Sequence, residues 1–183
     1  MSFRQRLASA ASSKETVVTI GVFDGVHQGH RHLLRQVVEL AGDQYVPTVV
    51  TFSNRPITVI RPGTEPSYLT TLDQRVDLIK QQGIEAVVCL EFTPELASIS
   101  AEEFANLLAG SLNMKGLVMG PDSAIGKDRQ GDLAFMKQQG EKLGFWAQSV
   151  ETFEIDGQPV KSRRIRDAVS NGSLEVCPEL LGR

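Results

Sequence analysis

A chain of 183 residues, 41% apolar and 22% charged, is long enough for one domain with a full core, and its composition shows no sign of disorder. A net charge of −3, with no Lys/Arg cluster beyond residues 161–166, argues against a general nucleic-acid binder; without a secretory leader or an 18-residue apolar run, a soluble chain with no membrane partner is expected. Two cysteines, Cys89 within an apolar run and Cys177 far from it, lack CxxC spacing, so the expectation is a reducing, cytoplasmic setting and no disulfide.

Residues 1–16 are polar and Ala/Ser-rich and read as a loose arm or a short helix ahead of a domain at 17–183. Strand-like apolar runs follow at 17–22, 46–52, 86–91, 116–119 and 145–150. Between them lie helical stretches at 30–41, 72–82, 101–109 and 133–143, the third opened by a capping box of Ser100 and Glu103. Continuous apolar strands alternating with amphipathic helices predict an α/β fold, a doubly wound parallel five-stranded sheet covered on both faces. Ligands of such sheets bind beyond the carboxyl ends of the strands.

The first strand empties into Gly21-Val-Phe-Asp-Gly-Val-His-Gln-Gly-His30 and then a helix. A glycine-rich turn at a helix N-terminus turns backbone N–H groups towards a ligand and favours an anion. His27 and His30 stand in that turn, where imidazolium would offset charge building on a phosphate leaving group. Two other readings stay open: a helix-entry pair held by local hydrogen bonds, and a metal site with Asp24 as third ligand. Residues 53–71 contain Pro56, Pro62, Gly63 and Pro66 without periodicity, and read as a long irregular loop of functional kind or as a surface excursion.

Gly120-Pro-Asp-Ser-Ala-Ile-Gly126-Lys127 is not a P-loop, because five residues rather than four separate its glycines and Asp128 follows the lysine. Near the C-terminus, Val160-Lys-Ser-Arg-Arg-Ile-Arg166 places four cations in six residues before a short helix, which suits either a solvated face or polyphosphate.

The segment from Gly21 to His30 resembles the first signature of the nucleotidyltransferase superfamily, H-x-G-H after the first strand, in the form found in the FMN adenylyltransferase module of bacterial bifunctional riboflavin kinase/FMN adenylyltransferases. Gly120, Asp122, Gly126, Arg129, Gly131 and Asp132 match that family's G-x-D-F-x-F-G-x-x-R-x-G-D, with Ser123 and Ile125 at its aromatic positions. Ser162 and Arg166 match its V/I-S-S-T-x-x-R, with Lys161 and Arg163 in place of the outer hydroxyls. Thr51, Phe52 and Pro56 match T-F-x-P-H-P, with Asn54 and Arg55 replacing Pro and His. Residues 69–72, 92–97 and 100–104 follow the family as scaffold.

This resemblance implies a Rossmann-like nucleotidyltransferase fold and transfer of AMP from ATP to FMN, giving FAD and pyrophosphate. It implies His27, His30 and Arg166 as catalytic residues and Gly21, Val22, Phe23, Asp24, Gly29, Gly120, Ser162, Arg163 and Arg166 around ATP. Flavin would meet Asn54, Pro56, Asp122 and Ile125. Mg²⁺ would bridge ATP oxygens with mostly water ligands and no protein metal site. No part of the chain resembles the family's riboflavin kinase module; residues 180–183 resemble the start of the linker to it. Alternatives are a nucleotidyltransferase for another phosphate acceptor, a nucleotide- or flavin-binding protein with weakened catalysis, and a purely structural α/β domain.

Overall fold

A computed structural model describes residues 1–65 and 67–183. Five strands, β1 Thr16–Ile20, β2 Val46–Phe52, β3 Ala86–Leu90, β4 Met114–Met119 and β5 Trp146–Ser149, form one all-parallel sheet in the order β3-β2-β1-β4-β5. The chain winds outward from β1 through β2 to β3, then crosses back to β4 beside β1 and on to β5. Strand order therefore reverses between β1 and β4, and the crevice beyond their carboxyl ends is the topological switch point of the sheet.

Successive residues of a strand face opposite sides, and both sides are apolar here. Val17, Val49 and Val118 pack under α2 Gln28–Ala41 and α4 Leu72–Lys80. Val18, Val50, Leu90 and Leu117 face the cluster that also holds residues of α1 Phe3–Ser9, α5 Pro94–Ser98, α6 Ala101–Leu112 and α7 Leu133–Leu143. The chain closes with a short hairpin, β6 Glu154–Ile155 and β7 Gln158–Pro159, and two helices, α8 Ser162–Ser170 and α9 Cys177–Leu181, around a third cluster that includes Val160, Ile165 and Leu180. No helix among the described residues is long and apolar enough to cross a membrane.

The doubly wound five-stranded sheet is the predicted one, and every predicted helix is present with ends shifted by up to three residues. β1 stops at Ile20, two residues early, because Gly21 and Val22 already belong to the turn. Residues 1–16 contain a short helix: Ser2 and Gln5 form a capping box, and Phe3 and Leu7, one helical turn apart, are buried in the core. The Ser100–Glu103 capping box is only half formed. Ser100 Oγ accepts the Glu103 N–H at 3.1 Å, but the Glu103 carboxylate leaves the cap to pair with Arg4 of α1. Residues 53–71 are less irregular than expected, since Pro56 opens a helix, α3 Pro56–Ile60, at a position where its missing N–H costs nothing. Pro66, named with that loop, lies outside the described residues.

One glycine is fixed by packing. A Cβ on Gly116 would enter the indole ring of Trp146, its neighbour across the β4–β5 pairing. Gly116→Ala is expected to lower the unfolding free energy by about 1–3 kcal/mol, as overpacking does; a urea melt superimposable on the parent's would show that the ring moves aside freely.

Candidate functional site

The turn from Gly21 to His27 leaves β1 at the switch point and is bent into an unusual path. Phe23, Gly25 and Val26 have φ of 54°, 81° and 39°. The left-handed region is open to glycine but strained for an aromatic and more so for a β-branched residue. Other segments hold the turn in this shape, carbonyl by carbonyl. The Val22 carbonyl accepts from Thr51 Oγ1 at 3.1 Å and from Arg75 Nη1 at 3.0 Å. That of Asp24 accepts from Ser162 Oγ at 2.9 Å, and that of Gly25 from Arg183 Nη2 at 2.9 Å.

Asp24 is 2% exposed and anchors the turn from within. Its Oδ1 accepts the Leu69 and Thr70 N–H groups at 2.9 and 3.2 Å, and its Oδ2 accepts from Arg166 Nη1 at 2.9 Å. Both carboxylate oxygens are thereby spent on the protein. The metal reading loses its third ligand, since Asp24 cannot serve a cation without releasing Arg166 and the 69–70 backbone. Beneath the turn Arg75, 1% exposed, donates to the Phe52 carbonyl at 2.7 Å as well as to that of Val22, tying the ends of β1 and β2 together.

His27 caps α2: its Nδ1 accepts the His30 N–H at 3.2 Å. The two imidazoles stack with centroids 3.6 Å apart, and the Phe23 ring meets His30 edge-on at 5.2 Å. The local hydrogen bond of the helix-entry reading is thus present, and it is also what fixes the pair towards the crevice. Burial, then the nearby Arg166 guanidinium, lowers the His27 pKa to about 4. Burial and the neighbouring His27, Arg75 and Arg166 hold His30 well below the usual imidazole range. The expected imidazolium pair is therefore neutral at neutral pH in the free chain, and the fixed positive charge beside it belongs to guanidinium groups.

This has a consequence for stability. The unfolded chain protonates His27 near pH 6.5, whereas the folded chain leaves it neutral until about pH 4. Between these values the unfolded state binds the extra proton, so stability is full above pH 6.5 and is lost as pH falls towards 4, by roughly 3 kcal/mol from this group; His30 acts in the same direction. Urea unfolding at pH 7 and pH 5 measures it. A flat profile would mean that the folded pair takes up protons after all.

Two cavities open at the crevice. The smaller, about 280 Å³, is lined by Gly21, Phe23, His27, Gly29, His30, Gly120 and Ser162, together with His32 and Phe153, whose rings lie 5.7 Å apart. The larger, about 1010 Å³, is mainly apolar and is walled by Phe52, Pro56, Phe92, Phe104 and Ile125 among others. They meet at Ile20, Gly21, Asp122 and Ser123. Across this junction Lys161 Nζ reaches Asp122 Oδ2 at 2.6 Å, and the lysine keeps that exposed carboxyl below its usual range.

Most of the predicted site residues thus converge. Val22 lines the larger cavity, while Asp24 and Arg166 lie just behind the smaller one as its supports. Arg163 does not join it: next to Ser162 on α8, it turns to solvent and pairs with Asp167 one turn on at 3.7 Å. Asn54 is also diverted from the larger cavity. Its side chain exchanges two hydrogen bonds with the backbone of Phe92, at 2.9 and 2.7 Å, so that it holds a wall residue instead of lining the wall. Sequence reasoning missed Arg75, whose only signal is a charge on the buried Arg75–Ile79 stripe of α4. It also missed His32 and Phe153, for which no pattern stands in the sequence, and Arg183, which it placed only in a segment resembling the start of a linker.

A family model described as FAD synthetase matches residues 9–164. The chain is 37% identical over 169 residues to a bifunctional riboflavin kinase/FMN adenylyltransferase of Pseudomonas fluorescens, covering 91% of this chain and 54% of the relative. It is 32% identical over 176 residues to the protein of the same description from Escherichia coli K12, covering 95% and 56%. The chain spans about half the length of these curated relatives. A solved structure of a macrolide-efflux protein from Streptococcus pneumoniae superposes over 100% of this chain and 60% of its own, with a TM-score of 0.88 at 26% identity.

Proposed function

The chain belongs to the FAD synthetase family, and from that premise we propose that it transfers the AMP moiety of ATP to FMN, giving FAD and pyrophosphate. One observation supports this above the others: a small cavity lined by the first residues of α2 and two imidazoles meets a larger apolar cavity at the switch point of the sheet. A nucleoside triphosphate suits the first and a flavin ring system the second.

In this reading an FMN phosphate oxygen attacks the α-phosphorus of ATP in line. A P–O bond forms there as the bond to the β-phosphate oxygen breaks, and pyrophosphate leaves with the electron pair. Such transfers rest on positioning and charge stabilisation. His27 and His30 would donate hydrogen bonds to the polyphosphate, with Ser162 and Arg166 beside them. The backbone at Gly21–Phe23 and at Gly120 would frame the adenosine. The flavin would lie between Pro56 and the Asp122–Ile125 turn, with Asn54 acting through Phe92. Mg²⁺ would enter as part of the ATP complex and keep its waters, in line with an Asp24 whose oxygens are already engaged. The free cysteines Cys89 and Cys177 suit a cytoplasmic setting.

A second reading, transfer to a different phosphate acceptor, is favoured by Ser123 at the cavity junction and the aliphatic Ile125 in the wall of the larger cavity, where rings would offer stacking surfaces. One assay separates them. The chain is mixed with ATP, Mg²⁺ and FMN, and FAD and pyrophosphate are followed by chromatography. Equal amounts of both are expected; pyrophosphate release that appears only with another acceptor would move the assignment to that acceptor, and ATP binding without turnover would leave a binding protein.

A further inference from the structure

Beyond α8 the chain returns to the site from behind. α9 docks on the first turn of α2, where Gln28 Nε2 donates to the Glu179 carbonyl at 2.8 Å and Arg31 Nη1 to the Gly182 carbonyl at 2.7 Å. Leu180 is fully buried beneath it. Gly182 has φ 71°, and a Cβ there would meet the Arg31 guanidinium at 2.7 Å and the Gln28 side chain at 3.1 Å, so a glycine lets the strap pass this close to α2. The next residue, Arg183, directs its guanidinium under the strained turn. Nη2 donates to the Gly25 carbonyl at 2.9 Å, and Nη1 approaches that of Val26 at 3.4 Å.

These two carbonyls bracket the point where the backbone is least favourable, left-handed at both Gly25 and the β-branched Val26, immediately before the histidine that caps α2. A planar guanidinium can span two neighbouring carbonyls, which an ammonium cannot do with the same geometry. The family match ends at residue 164, so neither the strap nor Arg183 falls within it.

We propose that Arg183 is a positioning residue of the phosphate site: by bridging the Gly25 and Val26 carbonyls it holds the left-handed turn that aims His27 and His30 into the crevice. Arg183 touches no cavity wall itself; it acts through the turn. The reading of the crevice as an ATP site is the basis of the affinity part of this inference, but the positioning of the imidazoles is independent of it.

The test uses R183M and R183K beside the unaltered chain, with imidazole nitrogen resonances recorded without ligand, Mg·ATP affinity by calorimetry, and a thermal melt. R183M should shift both histidine resonances and weaken Mg·ATP by about tenfold or more, the scale of one charge-assisted hydrogen bond. R183K should recover only part of either, with a melting midpoint near the parent's. Unchanged resonances in a folded R183M would overturn the proposal, as would a lowered midpoint with resonances in place, which marks a contact serving stability alone. If R183M does not fold, R183K decides by the same shifts. Failure of the unaltered chain to bind Mg·ATP would remove the nucleotide reading, while the resonances would still decide the positioning.

Discussion

Replacing His30 by alanine is expected to lower turnover at least about a hundredfold, the usual consequence of deleting one donor that faces charge developing in a transition state. The substitution is unusually clean at this position. His30 contributes two separate things: a ring in the crevice, stacked on His27 at 3.6 Å, and a backbone N–H that His27 Nδ1 accepts. Alanine removes the first and retains the second, so the cap of α2 survives. His30 Nδ1 is enclosed and has no protein partner among the described residues, so the ring serves no internal hydrogen-bond network whose loss would confuse the result. Steady-state rates with ATP and FMN, set against Mg·ATP affinity, make the measurement. A fall in turnover at near-parental affinity places the ring at the transition state; near-normal turnover would remove His30 from the mechanism.

The second large effect is on stability. Asp24→Ala should lower the unfolding free energy by about 3–5 kcal/mol, the range for breaking a buried ion pair from one side. Arg166, largely buried, would then face Arg55 without its carboxylate, and the Leu69 and Thr70 N–H groups would lose their acceptor. Arg166→Met alone should cost less, since Asp24 keeps its two backbone donors. The double variant should come out more stable than the sum of the single effects predicts. Urea unfolding at pH 7.5 measures all three. A loss below about 1 kcal/mol for Asp24→Ala would mean that the turn stands without its anchor, against the cost expected for a buried unpaired cation.

The sheet was legible because its strands are nearly continuous apolar runs, a pattern that a parallel sheet buried on both faces produces and that little else imitates. Helix α7 could be read to the residue, since Asp132 caps it by accepting the Phe135 N–H and Gly144 ends it in the left-handed region. Helix α1 was ambiguous because its two large apolar residues, Phe3 and Leu7, make a stripe too narrow to tell from a polar arm until the core receives it. At the site, local chemistry was visible and tertiary partnership was not. The glycines and histidines of the turn announce themselves by spacing. Whether a hydroxyl, amide or guanidinium faces a ligand or a distant carbonyl depends on what the fold brings alongside. Asn54 answers to Phe92, Arg163 to Asp167 and Arg75 to two strand ends, and none of those partners is marked by a motif.

Thr51, Arg75, Ser162 and Arg183 come from four separate stretches of the chain, yet each holds a carbonyl of the one bend between Gly21 and His27. For anyone tracing this sequence through its variants, they form a set of positions whose tolerances are shared. A replacement harmless while the other three are in place becomes costly once a second has gone. Tolerance at these positions therefore depends less on distance along the sequence than on how many hands remain on the same loop.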